Sequence, residues 1–493
     1  MSITSGQTLV SPYIHHHNGY QRLVARPWRS EHIPFHLGVL LIATSVFCIQ
    51  PLPPAIGIPL SIGLLIAAAL ACGPDYFLAL VPVICTAPVL HYTNVSSIPS
   101  LNYGDVMIGG IVACLTAMAP HRLAFSGTRP AVRVLLLGFL LLNFASLLLS
   151  PDRLATARAL GTLFVASLVA IHLAQSSRRV RGTTVYVLAA TALFNASVAE
   201  VQHLSASPLW MGRYIDAYHL SELNVGLEAV SKAVGLTTHG NALAVILTLS
   251  APYLVLVLAP SRNMLRIGCL AVLATGGIAS LSRGGLLAWI AECGVMAIIM
   301  MRHRILSWQR ILVIASVGLI ALAVISLGAF GERFRSADMS ARDANADNAR
   351  IACLEAGIAA TIASPLTGIG AGLSDKVFFR YGGWRNLGPH NLYLLLSAER
   401  GLPSLVVFLC LLLFLFRLGV GGAFRPLAIA SAVALAGLCV HGLFESFLVD
   451  CFQYLVFIVI GLAATSSQSS PYASLKESRR ATDMRPRAQA CRS

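Results

Sequence analysis

Apolar runs close to membrane length recur from one end of this chain to the other. They fall at residues 35–49, 55–72, 76–92, 104–120, 131–150, 157–175, 182–203, 239–260, 265–281, 284–301, 309–330, 390–417, 424–441 and 445–465. A run of about twenty apolar residues is what an α-helix needs to cross a bilayer. Within hydrocarbon only helices or closed barrels can satisfy every backbone group. The pattern therefore predicts an all-α fold, a polytopic transmembrane helical bundle of about 12–14 spans. The first few runs are short and punctuated by proline. One polar interruption is far longer than the rest and divides the chain. A tail at 1–34 precedes a helical region at 35–330, a large loop at 331–389, further membrane helices at 390–465, and a Ser-rich basic tail at 466–493. The last of these has the composition of a disordered segment.

Inside the large loop, residues 341–363 read as a helix, with acidic residues near its start and Ile351, Leu354, Ile358 and Ile362 at helical spacing. Ser364-Pro365 ends it. Gly368-Ile369-Gly370-Ala371-Gly372 follows as a flexible turn. Two readings of that turn stand: a tight turn packed on the membrane surface, or backbone N–H groups facing an anion.

Composition removes the soluble alternatives. The chain is 56% hydrophobic and 11% charged, whereas an ordinary soluble domain carries about 25% charged residues. A formal net charge of +15 would elsewhere raise the question of nucleic acid, but here the positive residues lie in short loops between apolar runs. The basic stretches at 120–133, 176–182, 260–266, 302–310 and 417–425, the N-terminal segment and the tail from Lys476 all fall on one side if the number of spans is even. The positive-inside rule then puts them, and both termini, in the cytoplasm. The loops left outside are 91–105, which has no Lys or Arg, about 204–238, and 331–389. The 11 cysteines show no CxxC spacing, so neither a disulfide framework nor a zinc site is indicated. His15-His16-His17 reads as a solvated tail, and the N-terminus lacks the form of a signal peptide. No repeated unit marks the inverted halves found in many transporters.

Candidate chemistry concentrates at the end of the large loop. Gly388-Pro389-His390-Asn391 opens an apolar run, with Arg333, Arg335, Arg342, Arg350, Arg380 and Arg385 upstream. A neutral imidazole can take a proton from a hydroxyl near neutral pH; the bland reading is a structural histidine at the membrane surface. Ser282-Arg283-Gly284-Gly285 lies in a very short outside turn, where Arg283 is either functional or snorkelling. Arg350, on the predicted loop helix, has the fork geometry for phosphate, or pairs within the helix with Asp347 or Glu355. Glu200, Glu292, Glu445 and Asp450 lie within or beside spans. Such carboxylates are functional candidates, and Glu445 and Asp450 read best as ion-pair partners that position arginines.

These residues carry a resemblance. The stretch from Pro389 to Ser404 is similar to the signature of the O-antigen ligase and polymerase superfamily, in which His-Asn is followed nine residues later by GxxG. His390-Asn391 and Gly401 fit, and Ser404 stands where the last glycine belongs. The resemblance extends to the Ser282–Gly285 turn, to Arg350 and to the glycine-rich turn, and covers about residues 235–420. It implies a metal-independent, cofactor-free membrane glycosyltransferase acting on the periplasmic side. The donor would be an undecaprenyl-pyrophosphate-linked glycan, and the acceptor a lipid A core or a growing glycan. Carried over by position, His390 would be the general base, while Arg283 and Arg350 would hold the pyrophosphate. Asn391, Ser282, Arg335, Arg380 and Arg385 are the further candidates for substrate binding. Ligation is the leading reading, polymerisation of O-antigen or exopolysaccharide units the alternative, and a polysaccharide transporter the more distant one. Membrane lipid is the expected surrounding, and no nucleic-acid partner is expected.

Overall fold

The computed structural model describes residues 45, 46, 49, 52–72, 76–91, 93–95, 98–124, 129–209, 211, 233–237, 239–258, 263–303, 337–384, 388–421, 425–448 and 452–465. The apolar run at 309–330, most of those at 35–49 and of the loop at 204–238, both tails, and Arg333, Arg335, Arg385 and Asp450 lie outside the described residues.

The chain is a polytopic helical membrane bundle. Its first part runs α1 (Pro54–Cys72), α2 (Phe77–Thr86) and α3 (Pro88–His91), then a short antiparallel hairpin of β1 (Asn94–Val95) and β2 (Ile98–Asn102), then α4 (Tyr103–Met118). The middle comprises α5 (Pro130–Leu149), α6 (Arg153–Gln175), α7 (Arg178–Ser205), α8 (Gly240–Tyr253), α9 (Asn263–Ala279) and α10 (Arg283–Arg302). The large loop holds α11 (Ala337–Ala363) and α12 (Ser374–Val377), and the last part α13 (Leu392–Arg400), α14 (Leu402–Val420), α15 (Pro426–His441) and α16 (Phe452–Ala464). Six of the described helices, α5, α6, α7, α8 with its extension to Leu258, α10 and α14, are long and apolar enough to cross a membrane, and six further apolar helices are shorter. Pro252 removes a backbone donor near the end of α8, which continues as a π turn over Leu254–Leu258.

Burial separates core from lipid face. Along α16 every side chain is buried, as expected of a helix that is apolar all round and packed on α6, α15 and α14. In α5, by contrast, Leu141 is 71% and Leu148 72% exposed; leucines so exposed on a spanning helix face lipid. Small residues let helices touch at the backbone. A Cβ on Gly276 of α9 would lie 2.6 Å from the Ala196 Cβ of α7, and one on Gly285 of α10 would lie 2.6 Å from the Ala244 Cβ of α8.

The predicted loop helix is present, starts at Ala337 and stops at Ala363, before Pro365. Its buried stripe is the small one: Cys353, Ala356 and Ala360 pack with Ile369, Phe378 and Ala398, while Ile351, Ile358 and Ile362 are exposed. The bulky residues gave the right period but lie on the outer face.

Candidate active site

Three helix ends meet where the loop rejoins the bundle. His239 caps α8, its Nδ1 accepting from the Ala242 N–H at 3.2 Å, so this ring carries its proton on Nε2. Ser282 caps α10, its Oγ accepting from the Gly285 N–H at 3.1 Å. The turn before it is tight, with Leu281 at φ 49°. Gly284 lies directly beneath the end of α15: a Cβ there would stand 2.7 Å from the Phe444 Cβ and 3.1 Å from His441 Cδ2.

The helix α13 runs along the segment 439–443. Asn391 caps α13 by accepting from the Leu394 N–H at 2.9 Å, and its Nδ2 donates to the Leu443 carbonyl at 3.1 Å. The Leu392 N–H donates to the Gly442 carbonyl at 2.7 Å, and the Tyr393 hydroxyl to the Cys439 carbonyl. These bonds set His390 opposite Glu445. His390 Nδ1 lies 3.1 Å from Glu445 Oε1, and Asn241 Nδ2 donates to Glu445 Oε2 at 2.7 Å. An ionised carboxylate only accepts, so Nδ1 is protonated and, whenever the ring is neutral, Nε2 keeps its lone pair. Burial alone would push the Glu445 carboxyl up. The hydrogen bond and charge of His390, with the Asn241 amide, more than offset this and hold it well below the usual carboxylate range. Glu445 is buried and the His390 side chain is 30% exposed, so the acid is sheltered and the base is reachable. The acid therefore orients a histidine, not an arginine as its position in the sequence led one to expect.

The glycine-rich turn does face an anion, but the anion belongs to the protein. Gly372 N–H donates to Glu399 Oε2 at 2.9 Å and Ser374 N–H to Glu399 Oε1 at 3.1 Å. The Ile369 and Gly370 N–H groups donate to the Ala398 and Glu399 carbonyls at 2.9 and 3.0 Å. Gly368, with φ 68°, comes so close to α13 that a Cβ would lie 2.2 Å from the Glu399 carbonyl carbon. The turn packs, but on α13 and its Glu399 rather than on the membrane surface. Next in the chain, Arg400 is buried; its Nη2 reaches the Leu448 carbonyl at 3.4 Å, while Nε and Nη1 have no hydrogen-bond partner. Gly401, at φ 85°, breaks the chain between α13 and α14, and a Cβ there would lie 2.2 Å from the Leu366 oxygen. Ser404 is buried and its Oγ accepts from Asn143 Nδ2 on α5 at 2.9 Å.

The sequence candidates divide accordingly. His390, Ser282 and Arg283 lie at this meeting point, Ser282 as a buried cap and Arg283 exposed at the first position of α10. Asn391 lies there as a cap and a tie to Leu443. Arg350 is half-buried on α11. Arg380 is exposed on the loop, with its guanidinium 5.8 Å from the Phe379 ring centroid. Among the acidic residues, Glu200 accepts a hydrogen bond from Thr275, and Glu292 is buried against Gly437. Asn241, His239, His441 and Glu399 were not singled out from sequence. The available signal was Thr237–Ala242, a polar cluster opening an apolar run as His390-Asn391 does.

Residues 268–409 match the family described as O-antigen ligase. No curated protein matches the chain. The matched stretch contains Arg283, Arg350 and His390, whereas Asn241 and Glu445 fall outside it on either side.

Proposed function

We propose that this chain, a member of the O-antigen ligase and polymerase superfamily, transfers a glycan from undecaprenyl pyrophosphate to an acceptor hydroxyl on the periplasmic side of the bacterial inner membrane. His390 is the general base. Its Nε2 takes the proton of the acceptor hydroxyl as that oxygen bonds to the anomeric carbon. The bond from that carbon to the pyrophosphate oxygen breaks, and the electron pair leaves with undecaprenyl pyrophosphate. Arg283 and Arg350 neutralise the charge that develops there, a role fixed guanidinium groups fill well in a site sheltered from water. Ser282, Asn391 and the loop arginines Arg335, Arg380 and Arg385 complete the substrate surround.

One observation carries the reading: the 3.1 Å contact of His390 Nδ1 with the buried carboxylate of Glu445. A carboxylate on one ring nitrogen selects the tautomer whose other nitrogen is a base, and such positioned bases contribute roughly 10²- to 10⁴-fold in rate. The test uses a deletion strain complemented with wild type, His390→Ala or Arg350→Ala, each inserted at equal level. The expected result is accumulation of carrier-linked glycan with either variant. Stored long chains identify a ligase acting on a lipid A core, and stored single repeats a polymerase. Normal surface polysaccharide with both variants overturns the reading.

A further inference from the structure

The base at His390 is oriented by Glu445, but a buried carboxylate needs orienting too. Glu445 lies in the turn after α15, and its backbone N–H bonds only to the His441 carbonyl one turn back, at 3.1 Å. The side chain is placed by what its two oxygens meet. Oε1 takes the His390 ring and the Ser446 N–H at 3.1 Å each. Oε2 takes Asn241 Nδ2 at 2.7 Å, the shortest of these contacts. The amide of Asn241 must present nitrogen here, because its oxygen against a carboxylate would be repelled.

Asn241 also stands on firm ground. It occupies the first turn of α8, capped by His239 and buried along most of its length. The Ala244 Cβ on the same helix packs over Gly285 of α10, where an added Cβ would lie 2.6 Å from it. The residue thus refers Glu445, and through it His390, to a rigid element of the bundle.

We propose that Asn241 is a positioning residue for the transferase, the fixed donor in a chain Asn241–Glu445–His390; the inference rests on the reading of His390 as the base. Its role is to donate, so the carboxylate is held in the rotamer that points Oε1 at His390 Nδ1. The titratable groups facing Glu445 are His390 at the start of α13, His239 at the start of α8 and His441 at the end of α15. Among the described residues no carboxylate stands with them, so an acid introduced at 241 would be a second carboxyl set against Glu445.

The test compares Asn241→Ala and Asn241→Asp with Glu445→Gln and His390→Ala in the full-length protein in detergent micelles. The probe is undecaprenyl-pyrophosphate glycan extracted from the gene-deleted strain. Asn241→Ala is expected to lower kcat roughly 10- to 100-fold at all pH, the range seen when the outer partner of a metal-bound histidine is removed, with KM for the donor little changed. Asn241→Asp, of nearly the same shape, can donate only while protonated, and two carboxylates sharing a site do not both ionise readily. It is expected to approach wild-type kcat at the acid end of the profile and to lose it as pH rises, a new alkaline limb absent from wild type. A residue that merely filled space would not add that limb. Wild-type kcat and profile in both Asn241 variants, or an Asn241→Asp protein equally inactive at every pH, overturns the inference while inactive His390→Ala leaves the transferase reading standing. An active His390→Ala protein removes that reading, and the inference with it.

Discussion

Glu445 and His390 are 55 residues apart in sequence, and their side chains meet at 3.1 Å across the junction of α13 with the turn after α15. Three helices, α13, α14 and α15, lie between them in the chain. The contact therefore depends on the packing of the bundle and on two hydrogen bonds to its backbone, from the Asn391 side-chain amide to the Leu443 carbonyl and from the Leu392 N–H to the Gly442 carbonyl. Burial makes the pairing consequential, since a sheltered carboxylate interacts more strongly with its partner than an exposed one.

The first prediction concerns rate. Glu445→Gln preserves size but supplies a neutral group that can donate as well as accept, so the His390 tautomer is no longer selected. Loss of the orienting carboxylate in a catalytic triad costs about 10⁴-fold in kcat. Here a fall of roughly 10²- to 10⁴-fold is expected, with the protein still inserted. Transfer of extracted carrier-linked glycan measures it, and a rate within about threefold of wild type would remove Glu445 from the mechanism.

The second concerns pH. The Glu445 carboxyl is held below its ordinary value, so it contributes stability that is complete above the unfolded carboxylate value of about 4.3 and is lost as pH falls through the folded one. The gap in unfolding temperature between wild type and Glu445→Gln should shrink as pH falls below about 4. A gap that widened below that pH would contradict the assigned charge state.

Glu399 is expected to be structural. It satisfies the Gly372 and Ser374 N–H groups and lies beside the buried Arg400 charge. Leaving buried donors unsatisfied costs about 1–3 kcal/mol each, so Glu399→Ala should unfold below wild type in micelles and open residues 366–374 to protease. Glu399→Gln, which keeps one acceptor, should lose less. An Ala variant as stable as wild type would mean that the turn holds without its anion.

Much of this architecture was legible in the chain. Apolar run length gave the membrane helices, and Pro365 marked the end of the loop helix. Motif likeness singled out Ser282, Arg283 and His390 as candidates. What was hidden follows from physics. In a membrane protein bulky apolar residues need not face the core, so Ile351, Ile358 and Ile362 gave the period of α11 without telling which face was buried. An anion partner for glycine-rich N–H groups can be a substrate or a side chain, and nothing local distinguishes Glu399 from phosphate. Glu445 announced itself as a carboxylate beside a span, but its partners, Asn241 and His390, come from elements that only packing brings together.

Ser404, where the family signature has glycine, carries its own compensation in Asn143 on α5. Asn143 Nδ2 also donates to the Phe139 carbonyl at 2.6 Å, so the pair is buried but not isolated. A double-mutant cycle of Ser404→Ala and Asn143→Ala should give a coupling of about 0.6 kcal/mol, the average for side-chain hydrogen bonds inside a membrane bundle. Unfolding in micelles measures it. Zero coupling would mean that Ser404 is tolerated for its size alone.

Gly284 offers a way to move Glu445 without touching it. A methyl group there would stand 2.7 Å from the Phe444 Cβ, closer than carbon atoms pack, and a Cβ is bonded directly to the backbone rather than lying at the end of a flexible chain. The turn 441–445 has to shift, carrying Glu445 away from His390 and Asn241. Displacement by about 1 Å is enough to cost on the order of 10²-fold when it misplaces a catalytic group. Gly294, on the same helix, has nothing within 4 Å of a Cβ, and alanine there should be neutral or stabilise by about 0.5–1 kcal/mol through helix propensity. Gly284→Ala is therefore expected to lose transfer while remaining inserted and folded, with Gly294→Ala fully active. If Gly284→Ala keeps wild-type rates, the end of α15 is free to yield and Glu445 does not depend on α10 for its place.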